Sequence, residues 1–152
     1  MSAQVSVPAN RAELISTASK LWARVTSTAN LVGVVAKSLP TNFDPTSHEP
    51  NLSLCCRLLE WALIEASYEL EVLKESSSSK PALDMDTYVS MCDEQQRRLL
   101  ACLSTVMAIC ELMRQTKFEY ERLLLAGLIP DLDEQLSLVT AIRTGARTSH
   151  AW

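Results

Sequence analysis

Catalysis needs a nucleophile with a base beside it, a set of metal ligands or a cradle for phosphate, and this chain offers few of these. Its two histidines are His48, in a proline-rich stretch, and His150, near the C-terminus. A Cys or Ser nucleophile needs a nearby base, usually His, and a third group that orients the base. His48 has no evident approach to any cysteine from its loop. The five cysteines are Cys55, Cys56, Cys92, Cys102 and Cys110. Their odd number and helix-like surroundings read as small buried hydrophobes in a reducing, cytoplasmic compartment. Cys55 and Cys56 point to different helix faces. Cys92 and Cys110 share a face but stand about 27 Å apart at 1.5 Å per residue, too far to chelate one ion. The chain has no Gly-rich phosphate loop, no Cys-x-x-Cys pair and no His-Glu-x-x-His run. The expectation is a protein that is not an enzyme and carries no metal or cofactor.

The most unusual polar feature is a pair of glutamates. Leu54, Leu58, Trp61, Ala62, Val72 and Leu73 define an apolar arc at 100° per residue, and Glu65 and Glu69 fall in its middle, one turn apart. Paired inward carboxylates occur in di-iron bundles, but those sites also need Glu-x-x-His pairs that this chain lacks. Two other readings stand. The pair could sit at an interhelical edge near Lys20 or Arg24 of the first helix, or it could line a groove for a basic segment of a partner, since buried carboxylates need partners of some kind. Lys117 occupies a position in the apolar seam of the third helix. There it either fixes register or marks where the seam runs out. Arg97, Arg98, Arg114 and Arg122 interleave with Asp93, Glu94, Glu111, Glu119 and Glu121, the pattern of a solvated face laced with ion pairs. Net charge is −4, which argues against non-specific nucleic-acid binding, where a concentrated positive surface is required. The Leu125–Asp131 turn resembles a helix-turn-helix corner only in outline. Pro130 lies inside it, and the following Asp131, Asp133 and Glu134 would meet phosphate.

These residues must be positioned by helices. Apolar residues make up 47% of the chain and Gly occurs only three times, which suits one all-α domain rather than disorder or a sheet. Residues 1–9 read as a loose lead-in without a secretory signal. A first helix starts at Asn10, where Asn10 and Glu13 have capping-box spacing, and runs along Leu14, Ala18, Leu21, Val25, Thr28, Val32, Val35 and Leu39. Pro40 ends it, and 40–50 is a loop with three prolines. A second helix spans about Asn51–Glu75, before a flexible serine run at Ser76–Ser79. The third opens near Asp84 or Asp86 and meets no Gly or Pro until Gly127. Its seam is Cys92, Leu99, Leu103, Val106, Cys110, Met113, Tyr120 and Leu124. Gly127 and Pro130 end it, Asp131–Glu134 starts the fourth helix, and 145–152 is a tail. No apolar run approaches the ~20 residues a bilayer span needs.

The architecture expected is an antiparallel up-down bundle of about four helices over residues 10–144, with a long third helix. As one rod the third helix would extend roughly 60 Å at 1.5 Å per residue and overhang its neighbours. Leu123, Leu124, Leu125, Leu128 and Ile129 would then lie bare. Either the helix folds back near Gln115–Lys117, or another chain covers the overhang. With no breaker residue there, a second copy in a homodimer is the expectation. The function that follows is a non-enzymatic protein-interaction module: an adaptor, an inhibitor, an immunity-type protein or a chaperone-like regulator. Its candidate surface is Tyr120, Leu124, Leu125, Leu128 and Ile129, with Trp152 as a further anchor. The alternative is a small-molecule or metal sensor with a site in the bundle core near Glu65 and Glu69, walled by Met91, Met107 and Met113.

Overall fold

The computed structural model describes residues 5–41, 44, 46, 50–78 and 84–148. Four long helices, α1 (Arg11–Ser38), α2 (Leu52–Ser78), α3 (Met85–Met113) and α5 (Leu128–Thr148), are joined by a short α4 (Glu119–Ala126), and the described residues contain no strand. Trp152, His48 and His150 lie outside the described residues.

α1, α2 and α3 each begin where side-chain oxygens can meet unpaired N–H groups. Asn10 Oδ1 accepts from the N–H of Glu13 at 3.0 Å, and Glu13 Oε2 reaches back to accept from Ala9 N at 2.7 Å. Asn51 accepts from Leu54 N at 3.0 Å, and Asp84 from Thr87 N at 2.8 Å. Residue 40, a proline, forces the residue before it out of helical geometry, and Leu39 is extended at φ −91°, ψ 148°.

The four long helices form a ring in which α1 touches α2 and α5, and α3 touches α2 and α5. Cross-links fix the directions. Arg11 Nε donates to Ser77 O at 2.8 Å and Ser53 Oγ to Ala36 O at 3.4 Å, so α1 and α2 run antiparallel. Ser77 meets Tyr88 and Glu69 meets Gln95 between α2 and α3. Arg143 pairs with Asp93 at 2.6 Å between α5 and α3, and Glu134 with Arg24 at 3.1 Å between α5 and α1. The expected up-down bundle is therefore what the chain forms. No helix among the described residues is long and apolar enough to cross a membrane.

Three local expectations are corrected. The third helix is two pieces: α3 stops at Met113 and the chain turns through 114–118. Thr116 is the breaker. Its hydroxyl donates to Met113 O at 2.7 Å and accepts from Phe118 N at 3.2 Å, offering the backbone a substitute for the next helical turn. Lys117 thus sits in a turn, exposed, with its Nζ 5.6 Å from the Phe118 ring centre. Second, α5 starts at Leu128 rather than Asp131. Pro130 falls in its first turn, where a missing N–H costs nothing. Third, the described parts of the serine run, 76–78, and of the expected tail, 145–148, are helical. α2 continues to Ser78, with Ser77 buried and its hydroxyl 2.6 Å from the Tyr88 phenol. α5 continues through Gly145, which lies flush against Pro8; a Cβ there would stand 2.8 Å from the Pro8 carbonyl.

Candidate protein-binding face

The core is a continuous aliphatic cluster, and α2 contributes to it with Leu52, Cys56, Leu59, Leu63, Ala66, Leu70 and Leu73. Their spacing alternates four and three. The expected inward arc of α2 is therefore corrected: except for Leu73 and the half-buried Ala62, it faces out. Leu54, Leu58, Trp61, Tyr68 and Val72 are each more than half exposed. With Glu65, they too recur at spacings of four, three, four, three and four. At about 100° per residue this second stripe lies some 150° round the helix from the first. The larger apolar side chains of α2 are thus divided between its two faces. Small residues let α1 come close on the inner face: Ala18, Ala29, Gly33 and Ala36 of α1 are buried, and the carboxylate of Glu60 occupies the space a Cβ on Gly33 would fill.

Glu65 and Glu69 are not in the core. The Glu65 side chain is 70% exposed, in the middle of the outer stripe, and both carboxylates turn toward α3 rather than toward Lys20 or Arg24 of α1. One guanidinium serves the whole group. Arg98 Nη1 lies 3.3 Å from Glu65, its Nη2 2.9 Å from Glu69, and its Nε 3.4 Å from Glu94 without forming a directed hydrogen bond. Glu94 is also held by Arg97 at 2.7 Å, and Arg97 keeps the Glu94 carboxyl below its ordinary range. Gln95 Nε2 donates to Glu69 at 3.1 Å. Three carboxylates thus share two guanidinium groups. Beside them, Glu69, Val72, Asp86, Ser90, Met91 and Gln95 help line an open cleft of about 620 Å³.

The surface expected at the end of the third helix divides. Because the chain turns at Thr116, α4 folds back against α3, α1 and α5. Leu125 and Leu128 are buried at 0% and 2% exposure, so neither is open to a partner. Leu124 and Ile129 are half-buried against the core. Of these leucines and the tyrosine, only Tyr120, at 72%, and Leu123, at 55%, remain outside, on the side of α4 away from Leu125. The bare overhang that pointed to a second copy is covered by the chain itself.

No family model, curated protein or solved structure matches this chain. Its chemistry must be read from its own residues.

Those residues offer little reactivity. All five cysteines are free, and only Cys55 is partly open to solvent. Burial pushes the thiols up, Cys56 and Cys102 to about 11 and Cys92 to about 12, and a protonated thiol is a poor nucleophile and a poor ligand. Among the described residues no three His, Cys, Asp or Glu side chains converge to hold a metal ion. Three more arginines are tied up in ion pairs: Arg114 with Glu111 at 2.8 Å, Arg122 with Glu119, and Arg143 with Asp93. Met107 is exposed and Met113 buried, so of the three methionines expected to wall a ligand site only Met91 borders the cleft.

Proposed function

We propose that this chain is a non-enzymatic protein-interaction module of the adaptor, inhibitor, immunity or chaperone-like kind, and that it meets its partner through the outer face of α2. The observation that carries this reading is the exposed stripe Leu54, Leu58, Trp61, Tyr68 and Val72. Each large apolar side chain left in water forgoes about 1.5–3 kcal/mol of burial. Scattered exposed leucines need no explanation, but a continuous stripe opposite the core does. It extends about 27 Å at 1.5 Å per residue and carries Trp and Tyr, the residues most enriched at binding hot spots. The face suits another protein chain, either a different protein or a second copy. Five free cysteines favour a reducing, cytoplasmic setting.

The experiment is a pair of substitutions on the exposed face, Leu58→Glu and Trp61→Glu, each compared with wild type for fold and for partner. Substitutions at such exposed positions change stability by within about 0.5 kcal/mol, so the fold should survive. The reading expects the partner to be lost. A fully folded Trp61→Glu protein that keeps its partner would sink it.

One observation favours a second reading, a small-molecule sensor. The cleft beside Glu69 is bordered by Gln95, which is buried and whose amide oxygen has no hydrogen-bond partner. A ligand there would be cationic, since Glu69, Asp86 and Glu94 outnumber Arg97 at its edge. A panel of small amines giving no thermal shift would dispose of this reading.

A further inference from the structure

The outer stripe of α2 also says what kind of chain covers it, and this inference rests on the preceding reading of that face. A four-three alternation of apolar residues is the seam of a coiled coil, in which each side chain inserts between residues of a facing helix. A strand or a loop would not match a repeat that persists from Leu54 to Val72. The occupant is therefore a helix. Its chemistry is set by the one seam position that is not apolar, Glu65.

Glu65 is the least satisfied member of its cluster. Glu69 has both Arg98 at 2.9 Å and the amide of Gln95, and Glu94 has Arg97 at 2.7 Å, whereas Glu65 has only the far end of Arg98 at 3.3 Å. Three carboxylates against two guanidinium groups leave one negative charge in excess, and it falls on the carboxylate that docking would take out of water. Covering it with an apolar helix would leave a desolvated charge poorly paired. Covering it with α2 of a second copy would set like charges together. In a parallel pair Glu65 would oppose Glu65. In an antiparallel pair centred on the stripe the two carboxylates would sit about 6 Å apart along the axis, at 1.5 Å per residue. A cation on the incoming helix removes the penalty, and a polar pair within a seam also fixes register and partner choice. We propose that the outer face of α2 binds one amphipathic helix of another protein, with a lysine or arginine set opposite Glu65.

The test uses the whole chain and three labelled synthetic helices of three heptads each. They share a leucine and isoleucine seam and differ only at its central position, which is lysine, leucine or glutamate. Binding is read by fluorescence anisotropy, with the protein's own mass checked in parallel. The lysine helix should bind roughly tenfold more tightly than either other, the scale of one well-placed interfacial charge pair. Glu65→Lys should reverse the order in favour of the glutamate helix, and Trp61→Glu should abolish binding of all three. Equal binding of the three helices, or strongest binding of the leucine helix, would overturn the assignment of charge while leaving α2 as a docking face. Failure of all three to bind wild type would overturn the helical occupant. A native dimer whose α2 faces are mutually buried would overturn the separate partner.

Discussion

At the residue scale, the polar side chains buried among the described residues are few. Gln135 is buried. Its amide donates to the Thr28 hydroxyl at 2.8 Å and to Arg24 O at 3.4 Å, while its own oxygen has no partner. Thr28 keeps a second bond to Arg24 O at 3.0 Å without it. Removing one partner of a buried hydrogen bond is costly where the other is left unsatisfied; here Thr28 keeps its bond to Arg24 O and the unpartnered Gln135 oxygen is itself removed. Gln135→Met should therefore leave the melting temperature unchanged or higher in thermal denaturation; a large drop would mean the Thr28 bond contributes more than its geometry suggests. The buried thiols give a second expectation. Their pKa values are raised on folding, to about 11 or 12, by loss of water around the thiolate. Protonated thiols thus favour the folded state, and that contribution is whole below the ordinary thiol value of 9.0. Above it the unfolded chain loses protons first, so stability should decline between about pH 9 and pH 12. Denaturant titrations at pH 7, 9 and 10.5 would read this as a falling midpoint, and at pH 8 a thiol reagent should label Cys55 well before the other four. The reading of the cysteines as buried hydrophobes holds for four of the five, Cys55 being partly open to solvent, because free Cys at helical positions is usually buried. The sequence alone misplaced Glu65 and Glu69, because which cation meets a carboxylate depends on helix rotation. Arg98 on α3 and Glu134 on α5 took the partners that height along the bundle had suggested for α1 and α2.

At the element scale, α1 was fully legible. Asn10, the Leu14–Leu39 seam and Pro40 are local signals that agree with one another, and every seam residue from Leu14 to Val35 is buried. α2 was legible in extent but not in orientation. It has two four-three stripes, and the one with the larger side chains, Leu54 to Val72, was read as the core. The inner stripe contains Cys56 and Ala66, small because the small residues of α1 press close there. Composition favours bulk, whereas close packing favours small residues. The break in α3, one of two alternatives the sequence leaves open at Gln115–Lys117, is the less favoured of them for a related reason: Thr is tolerated inside helices, and only its hydroxyl bonds to Met113 and Phe118 make Thr116 a stop. That break decides how α4 should respond to mutation. Leu125→Ala removes a wholly buried side chain and should cost about 2–5 kcal/mol. Leu123→Glu, on the exposed side of the same helix, should change stability by within about 0.5 kcal/mol. Chemical denaturation of the two variants separates α4 packed onto its own bundle from α4 packed onto a second chain. Equal, small effects would contradict the packing described here.

For the molecule as a whole, the ring of four long helices satisfies its own core and leaves one long apolar face over. The core stripe of α2 is sealed by α1 and α3, α4 closes the end of the bundle, and Arg97, Arg114, Arg122 and Arg143 are paired with neighbouring carboxylates. Among the described residues nothing comparable seals the outer stripe of α2. A net charge of −4, and a cluster of three carboxylates sharing two arginines beside that stripe, give the face a sign as well as a shape. Fold class followed from composition and periodicity because a bundle needs only apolar faces at helical spacing. The location of the binding face did not, because it is a matter of which of two faces turns inward. The most direct measurement is native mass spectrometry of wild type and Trp61→Glu, each purified gently from the protein's own cells. The account predicts that wild type carries the added mass of a second polypeptide and that Trp61→Glu, with unchanged helical content, does not. Retention of the same added mass by Trp61→Glu would contradict it.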